Sequence, residues 1–542
     1  MSVVPSITAL TFTPLFGGGL ILLVAAVRAW RRSGVPARRG ADQPANGAAE
    51  SQSERWVRWV GQGFGLLALG EVVLLWWGFD RGAAGFQWVE RHPWVPVFGV
   101  EYSVGLDGLG LVMAALTALV VPMAMWRSGA IGEQVPLYFA LVLFLQAGLF
   151  GTFTALNFFH WFMFWELSLV PAFFLVRLLG GPGRGPVATQ FFVYTMVGSV
   201  ALLLAFLALY LAAGTFDFGA LAALGRENRW AALLSHRLGW PGVSGETLAG
   251  LVCLGVFFGF AVKVPVMPFH TWLPATYATA PVGTTMLLTG AMSKMGVYGL
   301  LRLLVPVFPH QMRAWWGLLM GLAVLSVVGA AAAALAQRDL RRMLAYSSIN
   351  HLGYCLLGVV AALRATGESG RLATERAAAL DGVVLQMFNH GLTAATLFAF
   401  LGLLEDRTGG RRGLDDFGGL RRVAPVFCGL MGTALFASLG LPGLGGFVGE
   451  FLIFKGAFPL APWATALSAA GLLLTAVFLL TLVQRVFHGP LNPRLTGFAD
   501  LTVAERSALL PALGLMFVVG IWPQSLLAVI NPAVTAWVAL FP

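Results

Sequence analysis

The chain has 542 residues, of which 58% are hydrophobic and only 11% are charged, and its mean hydropathy is +0.80. Soluble domains carry about 25% charged residues, so this composition excludes a soluble protein and indicates a chain immersed in lipid. Three of the 34 basic residues are lysines and the other 31 are arginines. They form no basic face between aromatic residues, so nucleic acid is not expected as a partner.

A membrane-crossing helix takes about 20 mostly apolar residues. By that measure the sequence predicts an all-α polytopic membrane protein with about fourteen transmembrane helices, near residues 7–27, 58–79, 107–126, 136–155, 157–177, 188–213, 247–274, 281–304, 314–336, 342–363, 377–404, 423–458, 462–484 and 505–527. A Ser-, Ala-, Gly- and Pro-rich loop at about 33–55 is predicted to be a disordered cytoplasmic linker. With the N-terminus outside, 21 of the 31 arginines fall on the cytoplasmic side, which places both termini on the outer side.

Helices 7 and 12 are predicted to be broken, because Pro265 and Pro268 follow Lys263, and a Pro- and Gly-rich stretch precedes Glu450. Counting five helices per unit puts both breaks in equivalent positions of helices 4–8 and 9–13, and an odd number of helices makes the two repeats inverted. The predicted domains are 1–130 for helices 1–3, 131–305 and 306–486 for the repeats, and 487–542 for helix 14 and a tail.

Ionisable side chains near the centre of a membrane helix cost about 2.5 to 3.5 kcal/mol each on insertion scales. Six of them fall in helices 5, 7, 8, 10, 11 and 12: Glu166, Lys263, Lys294, His351, His390 and Glu450. A static buried ion pair between Glu166 and Lys263, which pins helix 5 to helix 7, would explain two of these six residues. A series spread over six helices instead favours a row of coupled groups that hands protons along by alternating charge states.

Three further residues are accessory candidates. Asp107 opens helix 3 and fits a helix N-cap better than a proton carrier. His270 fits a structural role and a proton path equally well, and Lys455 either extends the row or reaches for the lipid headgroups. No haem, iron-sulfur or flavin motif is recognisable, and the three isolated cysteines fit small core residues better than a disulfide framework or a metal site.

Seven motifs are spread along the chain: Phe164–Pro171, Phe260–Pro265, Pro268–Pro274, Ser293–Arg302, Leu344–Gly353, the His390-Gly-Leu motif and Phe447–Phe451. They resemble those of the antiporter-like membrane subunits of respiratory complex I, the proton-pumping NADH:quinone oxidoreductase. The resemblance extends over nearly the whole chain, from Asp107 to the last helices. Glu450 is similar to the helix-12 glutamate of the M type of these subunits, whereas the L and N types usually have lysine there. Two departures, Gln190 and Ala275 at positions where the family often has Lys and Asp, leave the proton uptake route open.

The resemblance implies a proton-translocating subunit of a redox-driven NADH:quinone oxidoreductase in the inner (cytoplasmic) membrane, with the six-residue row as its mid-membrane axis. No cofactor is expected in this chain, whereas NADH, FMN, iron-sulfur clusters and quinone are expected in partner subunits. L- and N-like antiporter subunits and the lipid bilayer are the expected neighbours. Two alternatives stay open: a subunit of a multisubunit sodium/proton antiporter, and a scaffold that has lost pumping.

Overall fold

The computed structural model describes residues 6–33, 52–132, 134–364 and 372–540. In these ranges, twelve helices are long and apolar enough to cross a membrane, one of them being the first half of helix 7. Helices 8 and 12 are assembled from shorter pieces, which completes the fourteen predicted membrane helices. Helices 1–6 and 9–11, followed by 13 and 14, span Ile7–Ser33, Gln52–Gly78, Gly108–Arg127, Val135–Thr154, Phe158–Leu179, Arg184–Ala213, Trp316–Leu335, Leu340–Ala362, Ala373–Thr408, Pro462–Phe487 and Val503–Ile521.

Helix 7 is broken as predicted, into Gly245–Lys263 and Trp272–Thr279. Neighbouring side chains satisfy the backbone groups that the break frees, as a lipid environment requires. The hydroxyl oxygen of Ser326 in helix 9 accepts a hydrogen bond from the Met267 amide at 3.0 Å. The Trp272 indole donates to the Val262 carbonyl at 3.0 Å. The break is therefore a fixed feature of the packed bundle.

Helix 12 is broken into Pro425–Leu439 and Gly445–Leu460. Gly440 ends the first half with φ +79°, a left-handed conformation that glycine adopts at little cost. A Cβ there would lie 2.8 Å from Oε2 of Glu450, so the glycine also makes room for that carboxylate. The Asn389 amide donates to the Gly445 carbonyl at 2.6 Å and ties the break to helix 11.

Helix 8 alternates between α and π geometry. It runs through Val282–Leu287, the π segment Leu288–Met292, Lys294–Gly299, a second π segment at Leu300–Leu304, and Val305–Val307. Single π turns inside α-helices commonly mark functional sites, because they change which backbone groups and side chains face a neighbour. Lys294 lies between the two π segments and is fully buried.

The packing of the helices agrees with two related five-helix units. Helix 4 packs on helix 5 as helix 9 packs on helix 10, and helices 6 and 11 each lie beside a broken helix. Helix 6 contacts the first half of helix 7, whereas helix 11 contacts the second half of helix 12 most extensively. The four domain boundaries given above stay a prediction.

Several elements were not predicted. Strands β1 (Gln87–Val95) and β2 (Val100–Leu106) form an antiparallel hairpin between helices 2 and 3. Short helices at Phe218–Arg226, Trp230–Leu238 and Pro309–Ala314 lie in loops. The prediction that helix 14 continues to 527 is wrong: it ends at Ile521, and a separate C-terminal helix covers Gln524–Ala539, so that part of the predicted tail is helical. Residues 34–51 of the predicted linker lie outside the described residues, and helix 2 begins at Gln52.

The hairpin ties the starts of several helices together and defines one end of the bundle, called here the hairpin end. The Glu90 carboxylate accepts from the Ile7 amide at 2.6 Å, which places a negative charge at the N-terminus of helix 1. The Leu156 amide donates to the Ser103 carbonyl at 3.0 Å, which fixes the hairpin to the loop between helices 4 and 5.

The opposite end, called here the arginine end, carries a belt of ion pairs between helices. Arg127 pairs with Asp406, and the remaining pairs join Arg341 to Glu405 at 2.6 Å, Arg407 to Glu505 at 2.6 Å and Arg412 to Asp339 at 2.7 Å. These contacts give four arginines a structural role in addition to their effect on topology.

Candidate functional site

Lys294 and His390 are in direct contact in the centre of the bundle. The Lys294 ammonium lies 2.8 Å from Nδ1 of His390 and 3.3 Å from the Ser293 hydroxyl, and it also donates to the Thr289 carbonyl. Because an ammonium group can only donate, Nδ1 of His390 accepts when the lysine is charged. The contact is therefore a ready path for one proton between helices 8 and 11.

His351 continues the row from His390, since the two imidazole rings lie 4.9 Å apart between centroids. On its other side, Nδ1 of His351 lies 3.0 Å from Oε1 of Glu450. A bare imidazole nitrogen and a carboxylate oxygen are both acceptors, so this contact requires a proton between them. The Gln386 side-chain amide donates to Oε1 of Glu450 at 3.1 Å, and its nitrogen lies 3.2 Å from Nδ1 of His351. The Ser438 hydroxyl meets Nε2 of His351 at 3.3 Å.

Glu166 and Lys263 lie apart from this relay and from direct contact with each other. Lys263 is 3% exposed, and its ammonium lies 4.7 Å from the centre of the Trp165 ring. Among the described residues the ammonium has no hydrogen-bond partner, and Oε1 of Glu166 has none either. The two charges are near enough to interact electrostatically, with the Ser199 hydroxyl beside Glu166. A static, directly bonded Glu166–Lys263 pair is therefore not the arrangement found.

The accessory candidates have partners away from the row. Asp107 caps helix 3 through the Gly110 amide at 3.0 Å and pairs with Arg302 at 2.6 Å, so the expected N-cap is confirmed. Lys455 forms an ion pair with Glu375 at 2.9 Å at the hairpin end, and does not touch the row.

His270 lies in the break of helix 7, half-buried, with its ring 6.0 Å from that of Tyr346. It makes no contact with the six-residue row. Its position near the arginine end leaves both of its expected readings open, as a structural residue and as part of a proton path.

Sequence reasoning missed the polar residues that connect the row: Gln386, Ser438, Thr289, Ser293 and Ser199. One signal was available, because Gln386 precedes His390 by four residues and so lies on the same face of helix 11. The others are neutral side chains, which occur throughout membrane helices and gain meaning only from their neighbours. In the described ranges, no group of three or more His, Cys, Asp or Glu side chains is arranged to hold a metal ion.

In the part of the chain that the structure describes, fourteen membrane helices, two of them broken, surround a buried row of lysines, histidines and carboxylates. This arrangement defines an antiporter-like membrane protein. Residues 155–477 match the family model described as NADH:quinone oxidoreductase/Mrp antiporter, TM. The chain belongs to this family. The predicted all-α polytopic membrane fold and the predicted resemblance to the antiporter-like subunits of complex I are thereby confirmed.

Two curated relatives are named NADH-quinone oxidoreductase subunit M. That of Rhodobacter capsulatus is 32% identical over 89% of this chain and 90% of the relative, and that of Mycobacterium tuberculosis is 30% identical over 98% and 94%. A chain of respiratory complex I from Thermus thermophilus with bound NADH superimposes with a TM-score of 0.81 at 27% identity, over 99% of this chain and 100% of that one.

A chain of the Mrp complex from Dietzia sp. has a TM-score of 0.78 at 20% identity, over 99% of both chains. At that identity the likeness shows the fold alone. The relatives therefore favour the predicted complex I function over the sodium/proton antiporter alternative.

Proposed function

We propose that this chain is a non-redox, proton-translocating membrane subunit of a redox-driven NADH:quinone oxidoreductase. NADH, FMN, the iron-sulfur clusters and quinone would be bound by partner subunits, with L- and N-like antiporter subunits beside this chain in the inner membrane. The arginine end would face the cytoplasm and the hairpin end the outer side, because positively charged loops stay cytoplasmic. Both termini then face outward.

The observation that carries the proposal is the run of contacts from Lys294 through His390 and His351 to Glu450. Every member is at most 6% exposed, so bulk water does not bypass the row. Each link joins groups that can both bind and release a proton. A proton moved from Lys294 to Glu450 therefore crosses from helix 8 to helix 12 in short steps.

Glu166 and Lys263 form the controlling part of the row. Lys263 is held by the Trp165 ring and not by a bonded carboxylate, so its charge responds to any movement of Glu166. A redox-driven change in a neighbouring subunit would shift Glu166 relative to Lys263. That movement would change the electrostatic potential at Lys294. Moving one charge against the membrane potential costs about 2.3 kcal/mol per 100 mV, which the electron transfer in partner subunits supplies.

The test compares two lysine substitutions in the assembled complex in proteoliposomes. Lys263→Ala is expected to abolish proton translocation by this subunit and to slow coupled quinone reduction. Lys455→Ala is the matched control, because it removes the same side chain from an ion pair outside the row. Glu450→Gln, which keeps the size of the side chain, is expected to behave like Lys263→Ala.

Native electrophoresis establishes that each variant complex is assembled. Full proton pumping by both assembled row variants would refute the proposal. Sodium-dependent transport without quinone chemistry would instead support the antiporter alternative.

A further inference from the structure

A buried carboxyl group outside the six-residue row lies on helix 11. Asp381 is 5% exposed, and its Oδ2 accepts a hydrogen bond from the Asn531 side-chain amide at 2.8 Å. Its other oxygen, Oδ1, is buried and has no hydrogen-bond partner among the described residues. No described cation lies within ion-pair distance of it. A carboxyl so placed is costly to keep in a membrane helix, so it calls for a role.

The position of Asp381 relates it to the end of the row. Helix 11 runs from Ala373 at the hairpin end to the arginine end, and Asp381 lies five residues before Gln386, which contacts Glu450. Five residues of α-helix rise about 7.5 Å along the helix axis. Asp381 therefore lies about 7.5 Å nearer to the hairpin end than Gln386 does. The backbone of the next residue, Gly382, packs directly on helix 12 at Gly449 and Ile453, on either side of Glu450.

The surroundings of Asp381 lead to the surface. Asn531 is exposed on the C-terminal helix, so the carboxyl is one hydrogen bond from the exterior. Leu380 and Val384, which flank Asp381 on helix 11, line a cavity of about 30 Å³ that also borders the Asp107–Arg302 pair. A cavity of this size holds about two water molecules, and the Asp107–Arg302 pair in its otherwise apolar wall gives them hydrogen-bond partners.

We propose that Asp381 is the carboxyl group through which protons leave the row toward the hairpin end, an inference that rests on the proton-translocating function proposed above. The O–H bond of protonated Glu450 breaks, and its proton passes through water to Oδ1 of Asp381, which becomes a neutral carboxylic acid. Asp381 then gives its proton to water at the surface beside Asn531 and returns to the carboxylate. The net change is one proton transferred from Glu450 to the exterior.

A purely structural role, in which Asp381 anchors the C-terminal helix, makes a different prediction. Asparagine keeps an oxygen that accepts the hydrogen bond from Asn531, but it cannot carry a proton. An anchor would therefore survive the Asp381→Asn substitution, and a proton carrier would not. Glutamate restores the titratable group on a longer side chain.

The experiment measures the rate of proton translocation in proteoliposomes containing the assembled complex, normalised to the amount of complex. We expect Asp381→Asn to lower the rate of proton translocation at least about tenfold, since a positioned proton-transfer group contributes about 10²-fold or more. Asp381→Glu should recover most of that rate. Glu375→Gln is the matched control: it neutralises a carboxylate on the same end of helix 11 that is already paired with Lys455, and it should pump normally.

Glu450→Gln is measured in the same series to separate the two proposals. If Glu450→Gln stops pumping and Asp381→Asn does not, the role of Asp381 is wrong while the proposed function stands. If neither substitution changes pumping, the proposed function fails as well. Equal losses in Asp381→Asn and Asp381→Glu would also overturn the role of Asp381, because a titratable group would then make no difference.

Discussion

The buried ion pair between Asp107 and Arg302 allows a quantitative prediction. One guanidinium nitrogen of Arg302 lies 2.6 Å from each carboxylate oxygen of Asp107, and the two side chains are only 7% and 13% exposed. Arg302 also approaches the Tyr298 hydroxyl at 3.3 Å and lies over the Phe86 ring at 4.9 Å. Removing the carboxylate would therefore leave a guanidinium that is fixed in place, unpaired and screened from bulk water.

Two substitutions of Asp107 separate its effects. Asparagine is as good an N-cap as aspartate, so Asp107→Asn keeps the cap on the Gly110 amide and removes only the charge. Breaking a buried ion pair by removing one partner costs about 3 to 5 kcal/mol. Asp107→Ala also loses the cap, which adds about 1 kcal/mol, so the expected total is about 4 to 6 kcal/mol.

The assay is a thermal-shift measurement on the detergent-purified complex, in which this chain is followed by immunoblotting of the soluble fraction. The expected order of stability is native, then Asp107→Asn, then Asp107→Ala. In a double-mutant cycle, Asp107→Asn combined with Arg302→Met should be less destabilising than the two single changes added together, because no unpaired charge remains. A native-like stability for Asp107→Asn would refute the reasoning.

The other two predictions concern the broken helices. Gly440→Ala should lower the free energy of unfolding by about 1 to 2 kcal/mol, because residue 440 is left-handed. It should also reduce proton pumping, because the new Cβ meets the Glu450 carboxylate at 2.8 Å. Thermal shift measures the first effect and pumping in proteoliposomes the second. Ser326→Ala should cost about 1 to 3 kcal/mol, because the buried Met267 amide in the break of helix 7 loses its acceptor, and the thermal shift of the complex measures it.

Each of these substitutions has a control in the same chain. Gly443 is also left-handed, with φ +93°, but a Cβ there meets no atom within 4 Å, so Gly443→Ala should destabilise without affecting pumping. Ser507 is exposed and bonds only within its own helix, so Ser507→Ala should be neutral. If Gly443→Ala and Gly440→Ala reduced pumping equally, backbone strain and not contact with Glu450 would be the cause. An unchanged stability in Ser326→Ala would show that the break does not depend on this hydrogen bond.

Local sequence determined the membrane helices and the breaks. A crossing requires about 20 apolar residues, and a proline removes a backbone donor wherever it stands, so both features can be recognised without knowing the neighbours. The ionisable residues of the row were recognisable for the same reason, since charge inside an apolar run is costly in any fold. The hairpin escaped prediction because it lies between helices and contains charged residues and a proline, which weaken a strand pattern.

Only the tertiary structure decided which of these groups meet. The sequence suggested one pair, Glu166 with Lys263, but helix packing instead puts Lys263 over Trp165. It also joins His351 to Glu450, 99 positions apart, and fastens Lys455 to Glu375 outside the row. Such contacts depend on how helices distant in sequence rotate and pack against one another, and composition and hydropathy do not record that. The sequence by itself thus determined which residues could carry protons, and the three-dimensional packing decided which of them are in contact.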